Sequence, residues 1–418
     1  MRTKSNKKFM LLSAIGIFMV VDSHTFTAFN LFGNYIPYNS FFMPMFVFIS
    51  GYFNKVDSST NLPAYLWKKI RTLLLPYLGI SVVVFGLQWL INLYKLGEVP
   101  SYPSGYLVYM LQRVVTIGVP YPLVTPMWFV ISLFSVLMVY AVLKKLLFKI
   151  WRSYIMFPIF ACLSLLVVYL VKNMDPVTLE NILLPLKVLF LLPFIELGIL
   201  YREYLEDKHE KLSGGWKVGL LFALFIANVV RSNYLPQAYD IAFDRIDDLS
   251  GFTSPYIFTP LISSVIGIAF WLTIVDLVGK PLRESRLVNY ISCNTFWIMG
   301  FHVAFFNVLN CILMAINENI ITIPYFNSES FMESEWYYWE INSNVRSIYV
   351  IFGLFGPLIL KLLYDKIVLS VVRIKAKDKN RNGLCRLSGQ RSEKTGAWHP
   401  VNKDQSGCQD HSNDRRSV

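Results

Sequence analysis

Apolar positions in this chain gather into long runs broken by short polar loops, without the alternation expected of half-buried strands. Ten runs stand out, at 9–28, 38–54, 72–93, 127–148, 154–171, 184–201, 216–232, 257–278, 287–311 and 347–370. A helix needs roughly 20 apolar residues to cross the hydrocarbon of a bilayer, rising about 1.5 Å per residue. The pattern therefore predicts an all-α polytopic membrane protein with about ten transmembrane helices. The weakest run is 38–54, which is short and carries Pro44 in its middle and Gly51 near its end. Pro removes a backbone bond and Gly allows close approach, so a distorted helix beside a cavity is expected there.

The polar loops orient the runs. One set holds Lys55, Lys68, Lys69 and Arg71, then Lys144, Lys145, Lys149 and Arg152, then Arg202, Lys208, Lys211 and Lys217, then Lys280, Arg283 and Arg286. The other set is acidic, with Asp240, Asp244, Asp247, Asp248, Glu318, Glu329, Glu333, Glu335 and Glu340. Positive-inside bias then puts both termini in the cytoplasm, which requires an even number of spans. Arg2, Lys4, Lys7 and Lys8 precede the first run. No small-x-small cleavage site follows, so that run is expected to be kept as a span.

Composition agrees. Charged residues are 16% of the 418, against about 25% in ordinary soluble domains. The net charge of +12 sits in the short loops, so it reads as membrane orientation and not as a nucleic-acid surface. The five cysteines include no CxxC pair, and neither a disulfide framework nor a metal site is expected.

Three segments depart from the pattern. Residues 94–126, with "YMLQRVVTIGVPYPLVTP", suit a surface helix or a re-entrant piece lining a cavity. Residues 326–344, "FNSESFMESEWYYWEINSN", suit either a loop at the headgroups or an aromatic surface for stacking sugars. Residues 1–374 form the membrane domain. The basic stretch 375–418, including His399 and His411, cannot bury a core and is expected to be a disordered cytoplasmic tail.

Ionisable groups inside apolar runs are costly and point to function. His24, near the outer part of the first run, is either a proton-transfer group or a helix-packing residue. Asp22 lies two positions away, on a nearly opposite helical face, and serves another helix or the outer solvent. His302 in a late run carries the same two readings. Glu196 either snorkels toward Arg202 or lines a cavity, and the former is preferred. Asp276 and Lys280 look like an i,i+4 pair. Lys68, Lys69 and Arg71 in "WKKIRTLLLPY" are an orientation anchor or a phosphate-binding group.

The pieces "SAIGIFMVVDSH", "FFMPMFVFISGYF", "KKIRTLLLPY", "MWFV", "PFIELGILY" and "SCNTFWIMGFH", in this order, resemble the acyltransferase 3 family of integral-membrane acyltransferases. The resemblance covers about residues 9–370. It implies transfer of an acyl group, most often acetyl from cytoplasmic acetyl-CoA, to a hydroxyl of an extracytoplasmic sugar or cell-envelope polysaccharide at the cell membrane. His24 takes the family's first-helix histidine, His302 the late one, Lys68 and Arg71 the basic pair, and Trp128 the Trp-Phe pair. Two positions depart from the family. Ser13 stands where a cation eleven residues before His24 is usual, and Phe42 stands where many members carry His.

On this reading His24 and His302 are the catalytic candidates. Lys68, Lys69 and Arg71 hold the phosphates of coenzyme A. Ser50, Trp128, Asp22 and Glu196 are cavity or oxyanion candidates, with His302 a further donor for the oxyanion. The partners are acyl-CoA, a glycan acceptor and the bilayer, with no nucleic acid and no metal. The competing readings are a transporter or flippase of a lipid-linked glycan, which the lack of a visible internal repeat disfavours, and a non-catalytic family member, which Ser13 and Phe42 raise.

Overall fold

The computed structural model describes residues 2–30, 32–97, 102–234, 256–278, 280–337 and 339–392, which are mostly helical with no strand among them. The chain divides into two units, Met1–Lys361 and Leu362–Val418. The second is described only to residue 392, as helix. Residues 393–418, with His399 and His411, lie outside the described residues, as do the acids of 235–255.

Each predicted run falls on a helix. The helices that carry them are α1 (Arg2–Ser23), α2 (Phe42–Tyr52), α4 (Leu75–Leu96), α6 (Trp128–Leu146), α7 (Ser153–Asn173), α8 (Pro176–Leu200), α10 (Gly214–Tyr234), α11 (Thr259–Leu277), α13 (Arg286–Cys293) with α14 (Thr295–Asn319), and α16 (Arg346–Ser392). Shorter helices are α3 (Leu62–Lys69), α5 (Tyr106–Thr116), α9 (Glu206–Lys211), α12 (Lys280–Glu284) and α15 (Ser328–Glu333). Eight helical stretches among the described residues are long and apolar enough to cross a membrane. Two runs do not reach that standard alone. The 11 residues of α2 rise only about 16 Å, and α1 carries Lys7, Lys8 and Asp22 about its apolar stretch.

α1 is a central strut. Leu12, Ile17, Val20 and Val21 are fully buried, and the helix packs against α2, α11, α13 and α14. α2 and α8 approach as closely as backbones allow. A methyl on Gly51 would run into the carbonyl of Ile195, and one on Gly198 into the carbonyl of Phe48. This reciprocal contact of two glycines lets a short helix hold its place in the bundle without long side chains. Ser164 of α7 adds a hydrogen bond to the Phe190 carbonyl of α8, 2.8 Å.

The basic ends of several helices meet. Asp276, in the last turn of α11, lies 3.3 Å from Lys8 of α1, 2.8 Å from Lys217 of α10 and 3.3 Å from Arg283 of α12. Lys280, expected to pair with Asp276, has its side chain outside the described residues. Arg202 reaches the carbonyls of Tyr52 and Asn54 beyond α2, at 2.6 and 2.7 Å, and Lys145 at the end of α6 reaches that of Thr60.

The 94–126 segment resolves into two parts. α5 is a surface helix with no buried residue. The chain from Val119 to Met127 then turns inward, with Val119, Tyr121, Leu123, Val124 and Met127 buried. Gly118 has φ of +92°, packs on the Trp128 backbone and gives its carbonyl to the Tyr77 hydroxyl at 3.1 Å. Irregular backbone is tolerated at this depth because the surrounding helices satisfy it.

Candidate active site

α1 ends sooner than the apolar run suggests. It stops at Ser23 because the Asp22 carboxylate captures the Phe29 N–H at 3.1 and 3.2 Å, while the Asp22 carbonyl accepts from Thr25 and Thr27. The turn so formed holds Phe26 and Thr27 at φ of +55° and +57°, a left-handed conformation that non-glycine residues rarely adopt. His24 therefore sits in a turn just past the helix and is half-buried, not within a regular span. Asp22 is fully buried and shapes this turn.

His302, seven residues into α14, is fully buried. Its ring centroid lies 5.1 Å from that of His24, with the planes at 46°. The two imidazoles named from the sequence thus meet, although 278 positions separate them (302 − 24). Nδ1 of His302 is 3.0 Å from the carbonyls of both Ile298 and Met299. Carbonyls only accept, so Nδ1 carries the proton. Nε2 is then a lone-pair acceptor, buried and without a hydrogen-bond partner among the described residues. Phe306 closes one side at 5.8 Å.

The segment 326–344 folds over this end of the bundle and does not run freely. Phe331 and Ile341 are buried. Trp336 stacks on Tyr121, 5.2 Å and 29°. Gln88 of α4 donates to the Glu335 carbonyl at 2.6 Å, and Lys95 to that of Ser334 at 2.5 Å. Asn310 of α14 donates to the Trp339 carbonyl at 3.1 Å and accepts from the Tyr349 hydroxyl at 2.5 Å. Trp339 in turn lies 5.5 Å from Phe26, and the Arg346 guanidinium 4.8 Å from the same ring. Arg346 is fixed by Glu340 at 2.8 Å. The rim above His24 therefore offers one exposed aromatic face flanked by a cation. Beyond this rim, burial raises the phenols of Tyr102 and Tyr337, the latter to about 12, so both remain neutral donors over the physiological range.

The basic triplet lies elsewhere. Lys68 and Arg71 are exposed, and Lys69 is half-buried over the Tyr65 ring at 5.4 Å. Lys68 and Lys69 precede, and Arg71 lies within, a single π turn, Ile70–Leu74, in which the Leu75 N–H reaches back to Ile70. Pro76 explains the widening, since it has no N–H to offer Thr72, four residues before it. α3 packs on α6 at the end where Lys145 meets Thr60, the basic end. From Lys8 to His24 is sixteen residues, or about 24 Å along a helix. The basic triplet and the His24–His302 pair thus occupy opposite ends of the bundle.

The remaining candidates do not join the histidines. Ser50 is half-buried in the last turns of α2, beside α8 and toward the basic end. Glu196 is buried and accepts from Tyr140 at 2.8 Å and Trp151 at 2.9 Å. The preferred pairing with Arg202 is not made, because six residues along a helix turn the two side chains about 120° apart. Trp128 opens α6, and its ring carries the ammonium of Lys187 at 4.1 Å from the centroid. Sequence reasoning passed over Lys187, which is 2% exposed. Its signal was plain, a lone cation within the 184–201 run.

The family pattern described as an acyltransferase domain matches residues 8–364. The chain belongs to the acyltransferase 3 family. That span contains every element of the site and leaves out the end of α16. No curated protein and no solved structure is matched. Membership makes the chain a membrane acyltransferase in general terms.

Proposed function

We propose that this acyltransferase moves an acetyl group from cytoplasmic acetyl-CoA to a hydroxyl of an extracytoplasmic sugar or cell-envelope polysaccharide, with the basic end of the bundle facing the cytoplasm of the cell membrane. The observation that carries the reading is the pairing of His24 with His302, 5.1 Å apart, one half-exposed and the other buried with its tautomer fixed. A hydroxyl is a poor nucleophile until its proton is taken, and a positioned imidazole supplies about 10²–10⁴-fold by taking it. His24 faces the rim and accepts the proton. The Nε2 lone pair of His302 supports the imidazolium so formed.

The hydroxyl oxygen bonds to the thioester carbonyl carbon and the carbon–sulfur bond breaks. The proton held on the imidazole passes to the departing thiolate. At the other end, Lys68, Lys69 and Arg71 hold the donor's phosphates, since ammonium and guanidinium groups make charge-assisted bonds to phosphate oxygens. The separation of about 24 Å between the two ends suits a donor whose slender arm crosses much of the bundle.

The test is acetyl transfer by the purified protein in lipid nanodiscs, with labelled acetyl-CoA and an envelope glycan. His24→Ala and His302→Ala should each lower turnover by about 10²-fold or more while thermal midpoints stay near wild type. Lys68→Ala with Arg71→Ala should raise the KM for acetyl-CoA and spare kcat. Full turnover by either histidine variant refutes the reading. Movement of a lipid-linked glycan without thiol release points instead to transport.

A further inference from the structure

We propose that a cavity of about 360 Å³ at the basic end binds one acyl chain of an anionic phospholipid, with the chain's ester carbonyl on Nε2–H of His209 and the phosphate beside Lys208. The walls come from the end of α8, the turn after it, α9, α10 and α11, with Leu197, Leu205, Leu220, Ile268 and Leu272 among the lining. Such walls favour a hydrocarbon chain over a polar solute.

Two polar groups define what the chain must carry. Lys8 donates to the Tyr201 hydroxyl at 2.7 Å, and that hydroxyl meets Nδ1 of His209 at 2.9 Å. An ammonium has no acceptor, so the tyrosine oxygen accepts from Lys8 and sends its own hydrogen to Nδ1. The neutral ring then holds its proton on Nε2. That atom is buried and has no partner among the described residues, and an orphaned buried donor is costly. His209 lines the cavity, and a small turn of its ring would bring that N–H to an occupant's acceptor oxygen, which a plain hydrocarbon lacks. Lys208 also lines the cavity and is exposed, and it makes no ion pair among the described residues. A negative headgroup complements it.

The level of the cavity fits an amphiphile. The helical run Val177–Lys211 has 35 residues, about 52 Å long, whereas the hydrocarbon core is about 30 Å. The cavity borders the last part of that run, from Leu197 to His209, where apolar core gives way to headgroups. The proposal concerns a site separate from the histidine pair and stands or falls apart from the acetyl-transfer reading.

The test counts lipids retained by the full chain, released from nanodiscs of phosphatidylglycerol and phosphatidylcholine, by native mass spectrometry. One phosphatidylglycerol is expected to stay bound in preference to phosphatidylcholine. Retention should weaken about fourfold for each methylene removed from a short-chain lipid that no longer fills the cavity. Ala269→Trp, which fills the cavity, should abolish retention, and Lys208→Glu should remove the preference for the anionic headgroup. Should the tryptophan variant fail to insert, Lys208→Glu, at an exposed position, and the chain-length series decide the matter. Equal retention of both lipids, no retained lipid, or displacement by glycerol 3-phosphate as efficient as by phosphatidylglycerol overturns the proposal.

Discussion

Asp276→Asn is the perturbation that most directly probes how the basic end is held together. The carboxylate, 5% exposed, has Lys8, Lys217 and Arg283 within 3.3 Å. Lys8 has only 1% of its side chain exposed and, among the described residues, keeps one other hydrogen-bond partner, the Tyr201 hydroxyl. At 3.3 Å and an effective dielectric near 20, each attraction is worth about 5 kcal/mol before the cost of desolvation. Amide replacement leaves three cations facing one another, with only the weaker attraction of Glu206 and Glu210 acting on Lys8. The penalty has a ceiling, because Lys8 can give up its proton. From an ordinary value of about 10.4 down to pH 7 that costs about 4.6 kcal/mol. A loss of about 3–5 kcal/mol follows, in keeping with the breaking of a buried pair. The penalty should shrink as pH rises from 7 toward 10, since neutral Lys8 becomes easier to form. Adding Lys8→Met should restore more than half of the stability, because the stranded charge is then gone. Equilibrium unfolding in mixed micelles across that double-mutant cycle gives the numbers. A loss under about 1 kcal/mol for Asp276→Asn, or a coupling energy below about 0.5 kcal/mol, would refute the reasoning.

Other expectations are as specific. Gly198→Ala drives a methyl into the Phe48 carbonyl and should destabilise by about 1–3 kcal/mol; an unchanged unfolding midpoint would show that α2 and α8 separate readily. The Asp175 carboxylate caps α8 through the Thr178 N–H at 2.9 Å and is held below its ordinary 3.8 by that residue. Its stabilising effect is therefore fully present above pH 3.8 and fades as the pH falls through the lowered value, so the gap in melting midpoint between wild type and Asp175→Ala should close in acid and stay constant from pH 5 to 8. Phe26→Ala should raise the KM for the glycan acceptor and leave that for acetyl-CoA unchanged. Phe26→Gly should do the same in a more stable protein, since glycine takes the left-handed conformation without cost, and equal acceptor KM values across all three would remove Phe26 from the acceptor rim.

The spans were legible because a bilayer imposes its thickness on the sequence. Residues 72–93, 154–171 and 216–232 lie on helices that match them closely. What escaped was decided by single side chains. The first run continues apolar to residue 28, yet the helix stops at Ser23 because Asp22 spends its carboxylate on Phe29. The apolar stretch at 119–127 reads as too broken for a span, and it is buried because Tyr77 and Tyr121 satisfy its neighbours' backbone, Tyr121 through the Ser81 carbonyl. Glu196 suggested Arg202 because proximity in sequence was the only proximity visible, while its partners come from two other segments. The histidines were each visible as expensive residues, and their meeting was not, since nothing in either run reports on the other.

α1 links these observations. Its first turns are tied by Lys8 to Asp276 and Tyr201, and its last by Asp22 to the turn that carries His24. Both ties are buried polar contacts in an otherwise apolar helix, and both are short. Most of the strut between them is buried, so its two ends cannot shift independently without opening the core. The position of His24 against His302 is therefore set partly by an ion cluster some 24 Å away, at the end proposed to hold the donor. Weakening that cluster should disturb transfer as well as stability. Asp276→Asn with Lys8→Met, which regains stability without restoring the tie, is the variant in which the two effects come apart.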